Sequence, residues 1–163
     1  MWFRQVYKMG ISKLPKSEWD NVADWWDSEV GDDGAWHQIH SIDPQMFELI
    51  GNIKGKQVLE IGCGNGYFAR KLAIKGAKVI GVDISRKLLS YGIRKEKLRP
   101  LGVKYLQRDA SNLNSLKSSS FDVVISNMAV MDIKDMDKTA KESSRVLRKG
   151  GRFIFSLCTV PPF

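Results

Sequence analysis

The sequence predicts an α/β protein built on a doubly wound, mostly parallel sheet, and three observations carry that prediction. Five short apolar runs recur between residues 57 and 158, each too brief for a helix and too continuously apolar for a strand with one wet face. Segments of helical spacing separate them, which parallel pairing requires, because a parallel neighbour is reached only through a crossover. The first run, Val58-Leu59-Glu60-Ile61, passes directly into Gly62-Cys63-Gly64-Asn65-Gly66, with three glycines at alternate positions between a strand and a helix.

Taken in order, residues 1 to 16 are basic and aromatic, with Trp2, Phe3, Val6 and Tyr7 spaced as in a short amphipathic helix before Pro15. Four of the five tryptophans, Trp19, Trp25, Trp26 and Trp36, fall between Ser17 and Ile50. Gly31-Asp32-Asp33-Gly34 breaks this stretch, and Pro44 opens a helix over Gln45 to Ile50. Residues 1–50 are therefore expected to form a helical cap, whose tryptophans serve as packing or as one wall of a binding cleft. Residues 51–163 are expected to form the sheet-bearing core. Gln57 to Ile61 is its first strand, followed by a helix from Tyr67 to Lys75 with Phe68 and Leu72 on one face. Lys78 to Val82 is the second strand and ends at Asp83; Ser85 caps a helix that runs to about Leu98, before Pro100. Val103 to Gln107, Phe121 to Ser126 and Arg152 to Cys158 supply the remaining strands. The helix before the last carries Met136, Ala140 and Leu147 at helical spacing, and Gly150-Gly151 is expected to close it.

At 163 residues, 43% of them hydrophobic, the chain suits one domain with a sizeable core. No run approaches the roughly 18 apolar residues of a membrane span, and Met1-Trp2-Phe3-Arg4 lacks the apolar core of a leader, so a cytoplasmic protein with no membrane contact is expected. Cys63 and Cys158 have no metal-ligand or C-x-x-C spacing and read as reduced thiols, and no metal is expected. Charge is unevenly distributed. Nine of the 18 acidic residues lie between Ser17 and Ile53, where there is no Lys or Arg, although the chain as a whole carries +8. Basic residues gather at Arg86, Lys87, Arg94, Lys95, Lys97, Arg99, Lys104 and Arg108. They form either a solvated helix face or a surface for RNA or another polyanion, and two separate surfaces of opposite sign are expected.

Glu60, the three glycines, Asp83, Asp109 and Asn127 all fall at C-terminal ends of expected strands, where ligands of doubly wound sheets bind, so one site can collect them. A dinucleotide is the obvious candidate, because Asp83 stands 17 residues after Gly66, close to the spacing of a ribose carboxylate. Two details oppose it. Tyr67 stands where the third glycine of G-x-G-x-x-G belongs, and Glu60 places a negative charge immediately before the turn, which repels a pyrophosphate. A ligand with a ribose and a positive charge is favoured instead.

Val58-Leu59-Glu60-Ile61-Gly62-Cys63-Gly64-Asn65-Gly66, Gly81-Val82-Asp83-Ile84-Ser85, Arg108-Asp109-Ala110 and Arg145-Val146-Leu147-Arg148-Lys149-Gly150-Gly151-Arg152 resemble, in order, the successive motifs of the class I S-adenosylmethionine-dependent methyltransferases. The resemblance implies a Rossmann-like sheet of strand order 3-2-1-4-5. It places S-adenosylmethionine against Gly62, Cys63, Gly64, Asn65 and Gly66. It implies that Asp83, with Ile84 beside it, bonds the ribose hydroxyls, that Asp109 and Ala110 hold the adenine, that Glu60 is an acidic anchor, and that Asn127 and Met128 line the methionine end.

Methyl transfer is an in-line displacement at an activated carbon, so alignment and exclusion of water are the main tasks of the protein, and a general base is needed only when the acceptor must lose a proton. Asp132, His37 and His40 are candidates for that base, each with a capping or surface role as the alternative. Ser126-Asn127-Met128-Ala129 differs from the Asn-Pro-Pro-aromatic motif of methyltransferases acting on exocyclic base nitrogens. A small-molecule acceptor is therefore expected, with RNA or a non-catalytic cofactor-binding module as alternatives. Complete members of the resembled family have an antiparallel strand pair beyond the fifth strand, and this pair is absent from the expected elements. Either the chain is a shortened form, or the apolar fifth strand pairs edge to edge in a homodimer.

Overall fold

Val58, Leu59 and Ile61 are fully buried, which suits a strand covered on both faces, and β1 (Gln57–Ile61) accordingly takes the middle of the sheet. The structure, a computed structural model, describes residues 16–157. The helical spacing at Trp2 to Tyr7 and the thiol of Cys158 lie outside the described residues. Around β1 stand β2 (Lys78–Asp83), β3 (Lys104–Gln107), β4 (Phe121–Asn127) and β5 (Leu147–Ser156), in the order β3-β2-β1-β4-β5 with every pairing parallel. The helices are α1 (Lys16–Val30), α2 (Asp43–Ile50), α3 (Tyr67–Ile74), α4 (Arg86–Leu98) and α5 (Met136–Val146).

Because side chains alternate along a strand, β1 feeds two cores. Val58 packs with Met46, Ile50, Phe68 and Leu72 of α2 and α3. Leu59 and Ile61 pack on the other face with Leu113, Val124 and Val146. Glu60, two residues after Val58, is also turned inward and is 2% exposed. Its strand neighbours are Gly81 and Ile125, so a carboxyl is carried into the middle of an apolar sheet.

The last crossover differs from the expectation. α5 ends at Val146 and β5 begins at Leu147, so Leu147 opens the strand and Gly150-Gly151 lie inside it instead of closing the helix. Phe121 pairs with Leu147 and Val123 with Arg152, a register shift that leaves extra residues on β5. Gly150 takes φ 78 within that bulge, a conformation glycine adopts at little cost. Pairing with β4, a contact distant in sequence, thus outweighs the local helix-stop signal.

The acidic and basic blocks, expected as separate surfaces, meet each other. Asp20, Asp24 and Asp27 share one face of α1 and lie on α4. Asp20 Oδ1 accepts from Ser85 Oγ at 2.6 Å and from the Lys87 N–H at 3.0 Å. Asp24 pairs with Lys87 at 2.8 Å and accepts from the Tyr91 hydroxyl. Asp27 takes Lys95 Nζ at 2.8 Å, with Arg94 at 3.9 Å, and accepts from Asn65 Nδ2 at 2.8 Å. Removing Asp27 leaves the mostly buried Lys95 ammonium with only the exposed Asp32 carboxylate, at 3.0 Å, and the Gly31 carbonyl, at 2.9 Å, as partners among the described residues. We expect Asp27→Ala to cost about 2–3 kcal/mol, measured by urea unfolding, and to loosen α1 enough that tryptophan fluorescence becomes salt-dependent. A change below about 0.5 kcal/mol would mean that the contact contributes nothing.

Candidate functional site

A cavity of about 340 Å³ opens at the C-terminal ends of β1, β2 and β4. Its floor is the turn from β1 to α3. Gly62 has φ 68, and a Cβ there would stand 2.4 Å from Ala129 Cβ, so the turn and the loop after β4 touch backbone to side chain. The Cys63 N–H bonds Val82 O at 3.1 Å and the Gly66 N–H bonds Cys63 O at 2.9 Å, closing the loop before α3. Asp83 holds it from the side: one carboxylate oxygen accepts from the Gly64 N–H and the other from the Ser85 N–H, both at 2.8 Å. Ser85 in turn caps α4 by accepting from the Leu88 N–H.

Of the residues singled out in the sequence, Glu60, Gly62, Cys63, Gly64, Asp83, Ile84, Asp109, Ala110, Asn127 and Met128 line this cavity. Asn65 and Gly66 do not. Asn65 is fully buried beneath the turn and bonds Asp27 and Gly31 O, tying the turn to α1. Gly66 faces the Tyr105 ring. His37 and His40 are also absent from the lining; burial lowers the His37 pKa, and His40 stacks on Trp36 at 4.7 Å. Asp132, on the helical turn Val130–Asp132 after β4, does line the cavity.

Reading the sequence leaves the opposite wall undetermined. Trp19 and Trp26 of α1 meet edge to face at 5.6 Å, and both line the cavity, so two of the four cap tryptophans form a wall. Gln38 and Tyr67 complete that side. No local signal marks Gln38, because its place depends on how the residues before α2 return over the sheet. Tyr67 belongs to a buried polar chain: its hydroxyl donates to Asp43 at 3.2 Å and accepts from Asn127 Nδ2 at 2.8 Å. Asn127 Oδ1 accepts from Ser156 Oγ at 2.7 Å, and Ser156 Oγ accepts from the Met128 N–H at 2.9 Å. Lys71 closes the other end on Asp43 at 2.7 Å. Met128 takes φ 57, a strained backbone for a residue with a side chain, where it faces the cavity.

Burial, reinforced by Asp83 and Asp43, pushes the Glu60 carboxyl well above the usual carboxylate range, and its Oε2 has no hydrogen-bond partner among the described residues. Burial also raises Asp83, opposed by the N–H groups of Ser85 and Gly64. The Cys63 thiol is pushed up by burial and by both carboxyls, which disfavours the thiolate a nucleophile would require. Four carboxyl residues, Glu60, Asp83, Asp109 and Asp132, face two cations, Arg108 and Lys134. The arrangement favours a cationic ligand and disfavours a pyrophosphate.

Residues 59–155 match the family described as methyltransferase domain. The ubiquinone biosynthesis O-methyltransferase of Nitrosococcus oceani is 30% identical over 141 residues, 85% of this chain and 58% of that protein. An S-adenosylmethionine-dependent methyltransferase from Mesorhizobium loti superimposes with a TM-score of 0.67 at 29% identity, over 78% of this chain and 56% of the other. Phosphoethanolamine N-methyltransferase 2 of Haemonchus contortus, solved with phosphomonomethylethanolamine and S-adenosylhomocysteine, gives a TM-score of 0.72 at 28% identity, over 85% of this chain and 33% of the other. The chain spans between 56 and 63% of the length of the curated relatives it matches.

Proposed function

The chain belongs to the methyltransferase domain family, and from that premise we propose that it transfers a methyl group from S-adenosylmethionine to a hydroxyl of a small molecule. The supporting observation is the acid-rich cavity at the strand ends, lined by Glu60, Asp83 and Asp109 around the open glycine turn. The residues fit this cofactor. Glu60 Oε2 is a buried oxygen without a hydrogen-bond partner among the described residues, suited to an ammonium, and at Gly64 a Cβ would meet only Trp26 Nε1, at 3.4 Å, so the glycine leaves the turn open toward the cavity. A shallower recess of about 590 Å³, which shares Ile84, Arg108 and Asp109 with the cavity, extends the room available to a nucleoside.

In this reading Gly62, Cys63, Gly64 and Glu60 contact the amino-acid part, Asp83 and Ile84 the ribose, Asp109 and Ala110 the base, and Asn127 and Met128 the methionine end; Asn65 and Gly66 act through the turn they hold. Bound S-adenosylmethionine supplies a methyl group activated by a sulfonium leaving group. The chain's own residues orient and exclude water. Asn127 is fixed by Tyr67 and Ser156, and Trp19 and Trp26 close the side facing solvent. Residues 1–50 are the cap in this proposal and 51–163 the core. Hydroxyl over nitrogen follows the name of the Nitrosococcus relative.

RNA, the alternative raised by the basic residues, has less support, because Lys87, Arg94 and Lys95 are paired with α1. A non-catalytic cofactor-binding module would bind the cofactor and transfer nothing. No helix among the described residues is long and apolar enough to cross a membrane, and we place the protein in the cytoplasm. The edge of β5, with Phe155 and Leu157 nearly half exposed, is the surface we assign to a homodimer; a monomer at every concentration in sedimentation would remove that assignment.

Calorimetric titration with S-adenosylmethionine tests the function, and binding to one site is expected; no binding would sink it. Protons should be released as well. Burial raises both Glu60 and Asp83 in the free protein and a nearby cation opposes that shift, so affinity should increase as pH rises through their folded pKa values. At pH values near those folded pKa values, heats measured in two buffers of different ionisation enthalpy should therefore differ. Identical heats would mean that neither carboxyl changes state.

A further inference from the structure

We propose that Asp132 accepts the proton of the acceptor hydroxyl, and that the acceptor is an aromatic alcohol lying between Asp132 and the wall of Trp19 and Trp26. This rests on the methyltransferase reading and deepens it. Asp132 lies on the turn Val130–Asp132, directly after the strained Met128, and lines the same cavity as the two tryptophans. Its Oδ1 is buried without a hydrogen-bond partner among the described residues. A capping role, the structural alternative, is filled by another residue: the Asp135 side chain accepts from the Lys138 N–H and caps α5. No ion pair joins Asp132 to Lys134, its nearest cation in sequence, among the described residues, and the remaining charged groups of the cavity are Glu60, Asp83, Asp109 and Arg108. Burial alone pushes the Asp132 carboxyl up to about 6, which leaves it ionised, and therefore able to accept a proton, at neutral pH.

The unpaired carboxylate selects the acceptor chemistry. A neutral amine attacks through its lone pair and loses its proton afterwards, whereas a hydroxyl is a poor nucleophile until its proton is taken. In the step, the hydroxyl proton passes to Asp132 and the oxygen's electron pair forms the new bond to the methyl carbon. The carbon–sulfur pair remains on sulfur. The products are a methyl ether, a neutral thioether and protonated Asp132, which returns its proton to water. The apolar tryptophan wall suits a flat ring.

The test uses the chain loaded with S-adenosylhomocysteine and catechol as the probe, followed by quenching of tryptophan fluorescence between about pH 5 and about pH 7.5, where catechol, like an ordinary phenol, remains neutral. The expected result is binding that tightens several-fold with a midpoint near 6, and weak, pH-independent binding in Asp132→Asn. With S-adenosylmethionine and catechol, Asp132→Asn should lower kcat by roughly 10²- to 10⁴-fold while cofactor affinity stays within about threefold and Asp132→Glu restores part of the rate. Equal pH dependence in wild type and Asp132→Asn, or no catechol binding while S-adenosylmethionine still binds, overturns the inference and leaves the methyltransferase reading standing. Failure to bind S-adenosylmethionine overturns both. Asp132→Asn should melt no lower than wild type at neutral pH, because a carboxyl raised by burial costs stability once it ionises; a fall of more than about 3 °C would assign it a structural role instead.

Discussion

Asp83→Ala is expected to weaken S-adenosylmethionine binding by about 100-fold or more. The estimate follows from the loss of a charged acceptor, about 1.5–3 kcal/mol per hydrogen bond, at a side chain 8% exposed. Asp83 has two tasks in the proposed site. It would accept from the ribose, and it already accepts from the Gly64 and Ser85 N–H groups, so its removal leaves both donors unpaired and relaxes the turn. Asp83→Asn separates the tasks. It keeps an oxygen for one donor and removes the charge, so stability should largely recover while affinity stays low. Calorimetry and urea unfolding on the same samples measure both quantities. An unchanged affinity in Asp83→Ala would remove Asp83 from the site.

Gly62→Ala should destabilise the fold by about 2–5 kcal/mol, from two separable causes. The positive φ of 68 strains any residue with a Cβ, and that Cβ would stand 2.4 Å from Ala129 Cβ. The second cause can be relieved from the other side. In Gly62→Ala with Ala129→Gly the collision disappears and the backbone strain remains, so roughly half the loss should return, within the non-additivity expected for residues in contact. No recovery would mean that φ alone decides, and full recovery that the collision does. Cofactor affinity should fall in the single variant, because the floor of the cavity moves.

How much of this was legible beforehand can be judged from particular residues. The turn from Gly62 to Gly66, the Ser85 cap and the placement of Asp83 follow from local chemistry: a strand, glycines that take positive φ, and a hydroxyl before a helix. The sheet order follows from the resemblance and is the one observed. Asn65 looked like a cavity residue because it sits among the glycines, yet its side chain turns inward to Asp27 and Gly31. Gly150-Gly151 carried a helix-stop signal that pairing with β4 overrode. Asp132 was one of three candidate bases, and the structure separates it from His37 and His40 by placing only Asp132 on the cavity.

By itself the sequence determined the alternation of strands and helices, the glycine turn and the strand-end acids, because each rests on backbone conformation and on periodicity within a few residues. The tertiary structure alone decided that Asp20, Asp24 and Asp27 neutralise part of the α4 basic face, that two of the four cap tryptophans become a wall, and that one oxygen of the half-buried Asp132 carboxyl has no hydrogen-bond partner among the described residues. These outcomes depend on docking α1 across the strand ends, roughly 65 residues away in sequence from its α4 partners. Burial and the removal of water are created by that docking, and no local stretch of residues encodes them.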